Sequence, residues 1–295
     1  MPTQANQPLP AGTVLQKYRI VRILAVGGFS FVYLAHDENQ TPVAIKEYLP
    51  AALAVRVNGS LKITEENAPR FRAGMKCFFE EAGAIAHLEH PNVVRVLDFF
   101  RANDTVYLVM RYEDGRSLAE HIKRRGRPVE ELWVRNTFLQ LLDGLREVHA
   151  RKLLHLDIKP ANIYLRSDGT PVLIDFGAAR QVLSAEGMKL APTFTPGFAP
   201  PEMHAQRELL GPWSDIYSVG ATIYACLAAA APPSAQARLE NEVLVPARRA
   251  FAGKYAPDLL QIVDWCLELD HLRRPQSVRD LQKALFGSIP DYRPG

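Results

Sequence analysis

Two acidic residues near the middle of the chain, Asp157 and Asp175, stand in settings that fit them for chemistry. Asp157 lies in His155-Leu156-Asp157-Ile158-Lys159-Pro160-Ala161-Asn162, with Lys159 two residues on and Asn162 five residues on. Asp175 ends the apolar run Val172-Leu173-Ile174 and precedes Phe176-Gly177. Ile163-Tyr164-Leu165 and Val172-Leu173-Ile174 flank the turn signal Ser167-Asp168-Gly169, so the intervening stretch is expected to form a small hairpin with a carboxylate at each mouth. Phosphoryl transfer needs such a set, because its catalysis is mostly positioning and charge neutralisation. One carboxylate orients the attacking hydroxyl and takes its proton, a service worth roughly 10²–10⁴-fold. A second carboxylate and an amide oxygen hold Mg²⁺, a hard cation that prefers oxygen. Asp157, Asp175 and Asn162 offer those three groups, with Lys159 near the moving phosphate. Asp-Phe-Gly alone is usually a turn, and His-x-Asp alone says little more. Their combination at this spacing is what carries weight.

Elements on either side must position these groups. Strands are expected at 18–24, 31–36 and 42–46, the first two joined by Val26-Gly27-Gly28-Phe29-Ser30. Glycines there would let backbone N–H groups approach a phosphate without Cβ clashes. Val43-Ala44-Ile45-Lys46 ends a strand on a lysine that needs a carboxylate partner. Residues 55–63 alternate about Asn58-Gly59, a strong hairpin signal, and predict an inserted two-stranded ribbon, either surface decoration or the dock of a regulatory partner. A helix over 69–88 carries an apolar stripe of Phe71, Met75, Phe78, Phe79, Ala82, Ile85 and Ala86. At about 100° per residue Glu80 points away from that stripe and Glu81 falls on its flank, so Glu81 is the better partner for Lys46. Two further strands, 94–99 and 105–110, complete a five-stranded sheet. Arg111-Tyr112-Glu113-Asp114-Gly115 is a polar connector, and beyond it the pattern turns helical: 130–151, 213–229, 258–269 and 277–286. Residues 178–202 lack regular pattern, and a loop of that length in a compact domain is usually functional.

Composition narrows the class. The 295 residues are 47% hydrophobic and 23% charged, ordinary for a globular protein. Thirty-five basic against 32 acidic residues leave a net charge of +3, which argues for neither nucleic acid nor an anionic membrane. Cys77, Cys226 and Cys266 are isolated and show no metal spacing, so free thiols and a cytoplasmic setting are expected. The opening residues lack the basic start and apolar core of a signal peptide. The longest apolar stretch, 219–231, is short of the roughly 20 residues a membrane span requires.

Taken in order, these motifs resemble the eukaryotic-type (Hanks-type) protein serine/threonine kinase family, in its bacterial branch, over about residues 14–287. The resemblance implies an α+β, two-lobed fold: a small antiparallel sheet with one major helix (about 14–111) and a large, mainly helical lobe (about 112–287). Residues 1–13 would be a disordered tail and 288–295 linker-like. It implies ATP and Mg²⁺ as cofactors, with the nucleotide between lobes, and protein substrates with serine or threonine acceptors. Asp157 is the implied base, assisted by Lys159; Lys46 and Glu81 are the implied ion pair; Asn162 and Asp175 are the implied metal ligands. Ala25, Val26, Gly27, Gly28, Phe29 and Ser30 would cover the phosphates. Val32, Ala44 and Tyr164 would sandwich the adenine, Met110 would guard the back of the pocket, and the backbone of Arg111, Tyr112 and Glu113 would pair with the base. Glu202 and Arg274 are the implied pair that closes the activation segment, Asp215 braces the catalytic loop, and Thr195 shapes the loop that receives the residue after the acceptor.

Three departures stand out. The family's first and third loop glycines are Ala25 and Ser30 here, Pro200 stands where alanine is usual, and Leu156 replaces the arginine that clamps an activation-segment phosphate. The last implies activity that does not depend on phosphorylating Ser184, Thr193 or Thr195. A pseudokinase scaffold is the alternative, supported by Ala25, Ser30 and Leu156 but opposed by the intact Lys46, Glu81, Asp157, Asn162 and Asp175. A small-molecule phosphotransferase is a third reading, opposed by the long segment that closes on Pro200-Pro201-Glu202.

Overall fold

A computed structural model of the protein describes residues 6–176, 195–205 and 207–287. They form two units, residues 6–89 with 94–113, and residues 90–93 with the described residues from 114 onward. The division falls two residues later than expected, and 90–93 belongs to the second unit.

The first unit runs β1 (Val14–Leu15), β2 (Tyr18–Val26), β3 (Ser30–His36), β4 (Pro42–Tyr48), the ribbon β5 (Val55–Val57) and β6 (Ser60–Lys62), α1 (Ala68–Ile85), β7 (Val96–Ala102) and β8 (Thr105–Arg111). Its antiparallel sheet has six strands in the order β1-β2-β3-β4-β8-β7. The five expected strands are there, joined at the edge by β1, too short to show a periodic pattern. Strand β3 alternates half-buried and buried residues, as a sheet with two distinct faces requires. In α1 the buried positions Phe71, Gly74, Phe78, Glu81, Ala82 and Ile85 recur at helical spacing. Tyr48 of β4 packs between Phe71 and Phe78, with ring centroids 5.3 and 5.7 Å away.

One expectation is corrected here. Residues 6–13 are not a loose tail: Leu9 is buried, its N–H donates to the Tyr33 hydroxyl at 3.0 Å, and Asn6 bonds to Ala54 and Arg56. Proline and glutamine content predicts the lack of regular structure correctly, but it is blind to a docking surface supplied by residues 24 to 50 positions away. The segments 1–5 and 288–295 lie outside the described residues.

The second unit runs β9 (Gly115–Ser117), α2 (Leu118–Arg125), α3 (Glu131–Ala150), a 3₁₀ turn (Pro160–Asn162), β10 (Ile163–Arg166), β11 (Pro171–Leu173), α4 (Glu202–Ala205), α5 (Pro212–Ala228), α6 (Ala235–Glu240), α7 (Ala247–Ala250), α8 (Pro257–Cys266) and α9 (Val278–Phe286). Strands β11, β10 and β9 form a small sheet, in which the predicted hairpin pairs Ile163 with Leu173. Helix α2 escaped the sequence reading although its start carries a reciprocal capping box between Ser117 and Glu120. Helix α5 is buried from Ser214 to Leu227, so the long apolar stretch is core as far as Leu227 and exposed over 229–231. Among the described residues no helix is long and apolar enough to cross a membrane.

Gly115 shows how tightly β9 is seated beside the β10–β11 hairpin. A Cβ there would lie 1.9 Å from the Leu165 carbonyl oxygen and 2.9 Å from the Arg166 Cα, neither of which can turn aside. Gly115→Ala is therefore expected to lower stability by about 1–3 kcal/mol or more in thermal melts, whereas Gly28→Ala, with nothing within 4 Å, leaves the melting temperature nearly unchanged.

Candidate active site

The loop that carries Asp157 hangs on a carboxylate from another element. Asp215, in the first turn of α5, is fully buried. Its Oδ2 accepts from the His155 N–H at 2.9 Å and pairs with His149 Nε2 at 2.7 Å, and its Oδ1 accepts from the Leu156 N–H at 2.7 Å. Burial pushes the Asp215 carboxyl up, but the His149 hydrogen bond and the neighbouring donors outweigh it and hold the group below the usual carboxylate range. These bonds stabilise Leu156 in the left-handed region, φ +59°, a conformation that costs a non-glycine residue about 1–3 kcal/mol.

His155 is the second brace. Its Nε2 lies 3.1 Å from the Ile174 carbonyl oxygen and must donate, while its Nδ1 accepts from the Asp157 N–H at 3.3 Å. One neutral tautomer satisfies both partners. Burial depresses its pKa below the ordinary value near 6.5, against the pull of Asp215 and Asp157. Phe176 packs on the His155 ring at 4.5 Å and is itself buried.

Within this frame three of the expected residues converge. Asn162 Nδ2 donates to the Asp157 carbonyl at 2.9 Å and to Asp157 Oδ2 at 2.7 Å. Lys159 Nζ lies 2.8 Å from the same Oδ2. Thr195 joins them: Lys159 Nζ donates to its hydroxyl at 2.8 Å, and that hydroxyl sits 3.5 Å from Asp157 Oδ1. The Asp157 carboxylate is held from two sides and still partly exposed, at 24% of its side-chain surface. Asp175 stands just past β11, at φ +63°, and the strand end beside it is tied to the loop by the Ile174 N–H bond to the Asn162 carbonyl at 3.0 Å. Tyr164 lies on β10, half-buried, with its hydroxyl donating to the Gly115 carbonyl at 3.0 Å. Gly177, Ser184 and Thr193 lie outside the described residues.

The segment that follows Thr195 is anchored by a buried pair. Arg274 meets Glu202 at 2.7 and 3.1 Å through two parallel bonds, the Ser214 hydroxyl donates to Glu202 at 2.7 Å, and the guanidinium lies 4.8 Å over the Tyr217 ring. Leu156 packs with Ala199 and Met203, and Leu154 and Leu210 close the cluster.

The remaining expected residues lie in the first unit. Lys46, on β4, sits 5.8 Å from the Phe78 ring centroid of α1. Three residues further along that helix, Glu81 is buried at 6% exposure, whereas Glu80 is exposed and pairs with Lys76. Val32 stands opposite Lys46 in the β3–β4 register, and Ala44 stands opposite Met110 in the β4–β8 register. Ala25 and Val26 end β2, Gly27 to Phe29 turn, and Ser30 opens β3 and accepts from the Gly27 N–H at 2.9 Å. Arg111 ends β8, and Tyr112 and the buried Glu113 follow it. The sequence reading passed over His149 and gave His155 no role beyond the His-x-Asp motif. An i, i+6 pair of histidines ahead of Asp157 was the available signal, but only their shared partner on α5 reveals what they do.

Because native His155 stays neutral where the unfolded chain protonates it, the native state binds fewer protons as the pH drops below about 6.5, and stability falls with it. His155→Gln is expected to flatten the slope of unfolding free energy below about pH 6.5 in denaturant titrations, with a residual slope from His121 and His204, whose pKa values burial also lowers.

Comparison with known proteins bears on the family and the fold. A family profile described as protein kinase domain matches residues 18–286. The chain is 29% identical to serine/threonine-protein kinase PknA of Nostoc sp. over 94% of its own length and 48% of the relative's. It is 29% identical to serine/threonine-protein kinase D of Synechocystis sp. over 94% of its length and 53% of that protein's. It thus spans about half the length of these relatives. Among solved structures, PpkA-294 in its apo form superposes with a TM-score of 0.83 at 32% identity, covering 94% of this chain and 99% of that one. The kinase domain of Mycobacterium tuberculosis PknI, at 23% identity and a TM-score of 0.70, shares the fold. The chain belongs to the protein kinase domain family.

Proposed function

We propose that this chain is the catalytic domain of a protein serine/threonine kinase that transfers the terminal phosphoryl group of ATP to protein hydroxyls. The observation that carries this is the convergence of Lys159, Asn162 and Thr195 on the Asp157 carboxylate. In that role an Asp157 oxygen orients the acceptor hydroxyl and takes its proton, and Lys159 balances the negative charge that gathers beside it. Thr195 ties the substrate-side segment to the same lysine.

The residues present fit Mg²⁺. Asn162 turns its amide nitrogen to Asp157, which leaves its carbonyl oxygen as the free ligand atom, and Asp175 brings a carboxylate to the end of the adjoining strand. Among the described residues no cluster of three His, Cys, Asp or Glu side chains forms an all-protein cage. That agrees with a cation held by one carboxylate, one amide oxygen and substrate phosphates. Bound MgATP would supply the electrophilic phosphorus, and its Mg²⁺ would neutralise the negative charge of the phosphates. In the other unit, Lys46 with Glu81, and the backbone of 25–30, are the groups we assign to the phosphates, and Val32, Ala44, Met110 and the backbone of 111–113 are those we assign to the adenine; Tyr164 on β10 is assigned to the adenine as well. A cytoplasmic setting suits the free thiols of Cys77, Cys226 and Cys266.

Leu156 bears on control. A leucine cannot grip a phosphate, and its contacts with Ala199 and Met203 secure the substrate-side segment by apolar burial instead. We infer that turnover does not await phosphorylation of Ser184, Thr193 or Thr195.

Two measurements check these statements. Against a generic basic protein and labelled ATP, Asp157→Asn is expected to cut transfer by roughly 10²–10⁴-fold without changing the melting temperature. Incorporation by the wild type no greater than by this variant would end the kinase assignment. The double variant Ser184→Ala/Thr193→Ala is expected to keep near wild-type turnover, whereas Thr195→Ala loses activity because it frees Lys159 from one of its two partners.

A further inference from the structure

The sheet face opposite Lys46 carries a charged cluster that no step of phosphoryl transfer uses. Glu47, the residue after Lys46 on β4, is buried, and so is Arg56 of the ribbon. Arg56 Nη1 and Nη2 meet the Glu47 carboxylate at 3.0 and 2.5 Å. The hydroxyls of Tyr33 and Tyr107 donate to it at 2.8 and 2.5 Å. Those tyrosines sit on β3 and β8, the strands that flank β4, and Tyr107 is the register partner of Glu47. Burial, then the charge of Glu47, raises both phenols above their ordinary value, so they remain donors at any physiological pH. One carboxylate thus clamps three strands at the position next to Lys46.

The cluster is closed from outside the sheet. Arg56 Nη1 also donates to the Gln7 carbonyl at 3.2 Å, and the Arg56 N–H donates to Asn6 Oδ1 at 2.7 Å. Asn6 Nδ2 donates to the Ala54 carbonyl at 2.9 Å. The side-chain amide of Asn6 therefore pairs with Ala54 and Arg56 as the backbone of an added strand would. The stretch it grips continues back to the glycine loop, where the Leu49 and Ala51 N–H groups donate to the Phe29 and Gly28 carbonyls, both at 2.9 Å. Residues 47–56 hold the lysine strand at one end and reach the phosphate loop on the way, and residues 6–9 hold residues 47–56. A buried ion pair is weak evidence for stability, since apolar residues of equal volume often serve as well. What it adds over them is direction.

We propose that Asn6 and Arg56 are positioning residues for the nucleotide: through Glu47 and residues 49–51 they fix Lys46 and the Gly27-Gly28 loop relative to each other. The proposal rests on the assignment of those two elements to ATP phosphates. The segment ahead of the kinase domain is then a working part of it, and anything that pulls residues 6–9 away loosens the grip on nucleotide while leaving the peptide-binding unit alone.

The test is Asn6→Ala in the full chain, with ATP and peptide varied separately. The KM for ATP is expected to rise about three- to tenfold, the share of one or two hydrogen bonds, with the KM for peptide unchanged. Acylation of the Lys46 amine by a reactive nucleotide analogue, read by mass spectrometry, is expected to slow in the same proportion, and Lys46→Met marks the background. That signal needs no turnover, so it separates failure of this proposal from failure of the kinase assignment. Arg56→Ala would strand a buried carboxylate, so the second variant is Glu47→Gln/Arg56→Gln, in which the same shifts are expected. Unchanged ATP affinity and labelling in both variants would overturn the proposal, and so would a loss shared equally by ATP and peptide alongside a lowered melting temperature.

Discussion

Most of what the second unit does depends on one buried carboxylate. Asp215 accepts hydrogen bonds from two consecutive backbone N–H groups and a histidine, and those bonds set the path of the chain from His155 into Asp157. Without them Leu156 would have little reason to occupy a left-handed conformation, and the carboxylate of Asp157 would have no fixed address. The constraint is inexpensive to keep because Asp215 stands in the first turn of a helix buried over most of its length. A helix start favours negative charge, and a rigid helix transmits its own placement to whatever it binds.

Among the described residues each unit contains one arginine–glutamate pair shut away from water, and both serve geometry. Arg274 and Glu202 tie the end of the segment that follows Thr195 to the stretch before α9, with Ser214 and Tyr217 completing the environment. Arg56 and Glu47 tie the ribbon and the N-terminal segment to the central strand of the sheet. In both cases bidentate geometry and further donors offset the desolvation cost that makes isolated buried pairs unfavourable. The charges act as directional fasteners between pieces of chain that are distant in sequence. Apolar contact does the same task where direction matters less, as at Leu156 against Ala199 and Met203.

Features written in short-range pattern were legible. The hairpin from Ile163 to Leu173, the ribbon about Asn58-Gly59 and the long helix ending at Ala150 all follow from alternation, turn chemistry or helical spacing. The choice of Glu81 over Glu80 rested on helical facing alone, and the structure buries the one and exposes the other. Helix α2 was missed because eight residues give too few periods to recognise, although its Ser117–Glu120 capping box was in plain view. Strand β1 was missed for the same reason at two residues. Residues 6–13 were misjudged because their order comes from partners and not from their own composition.

The amino-acid sequence by itself determined which groups could do chemistry: an acid–lysine–asparagine trio at set spacing, a second acid after a strand, and a lysine after a glycine-bearing turn. Spacing of this kind is local, and local geometry follows from residue type. Only the tertiary structure decided which distant groups hold them. That Asp215 bonds the loop before Asp157, that Thr195 shares Lys159 with it, and that Asn6 reaches Arg56 are contacts across 59, 36 and 50 residues of chain. No periodicity encodes such contacts, because they exist only once burial has excluded water and left each polar group to find a partner within reach.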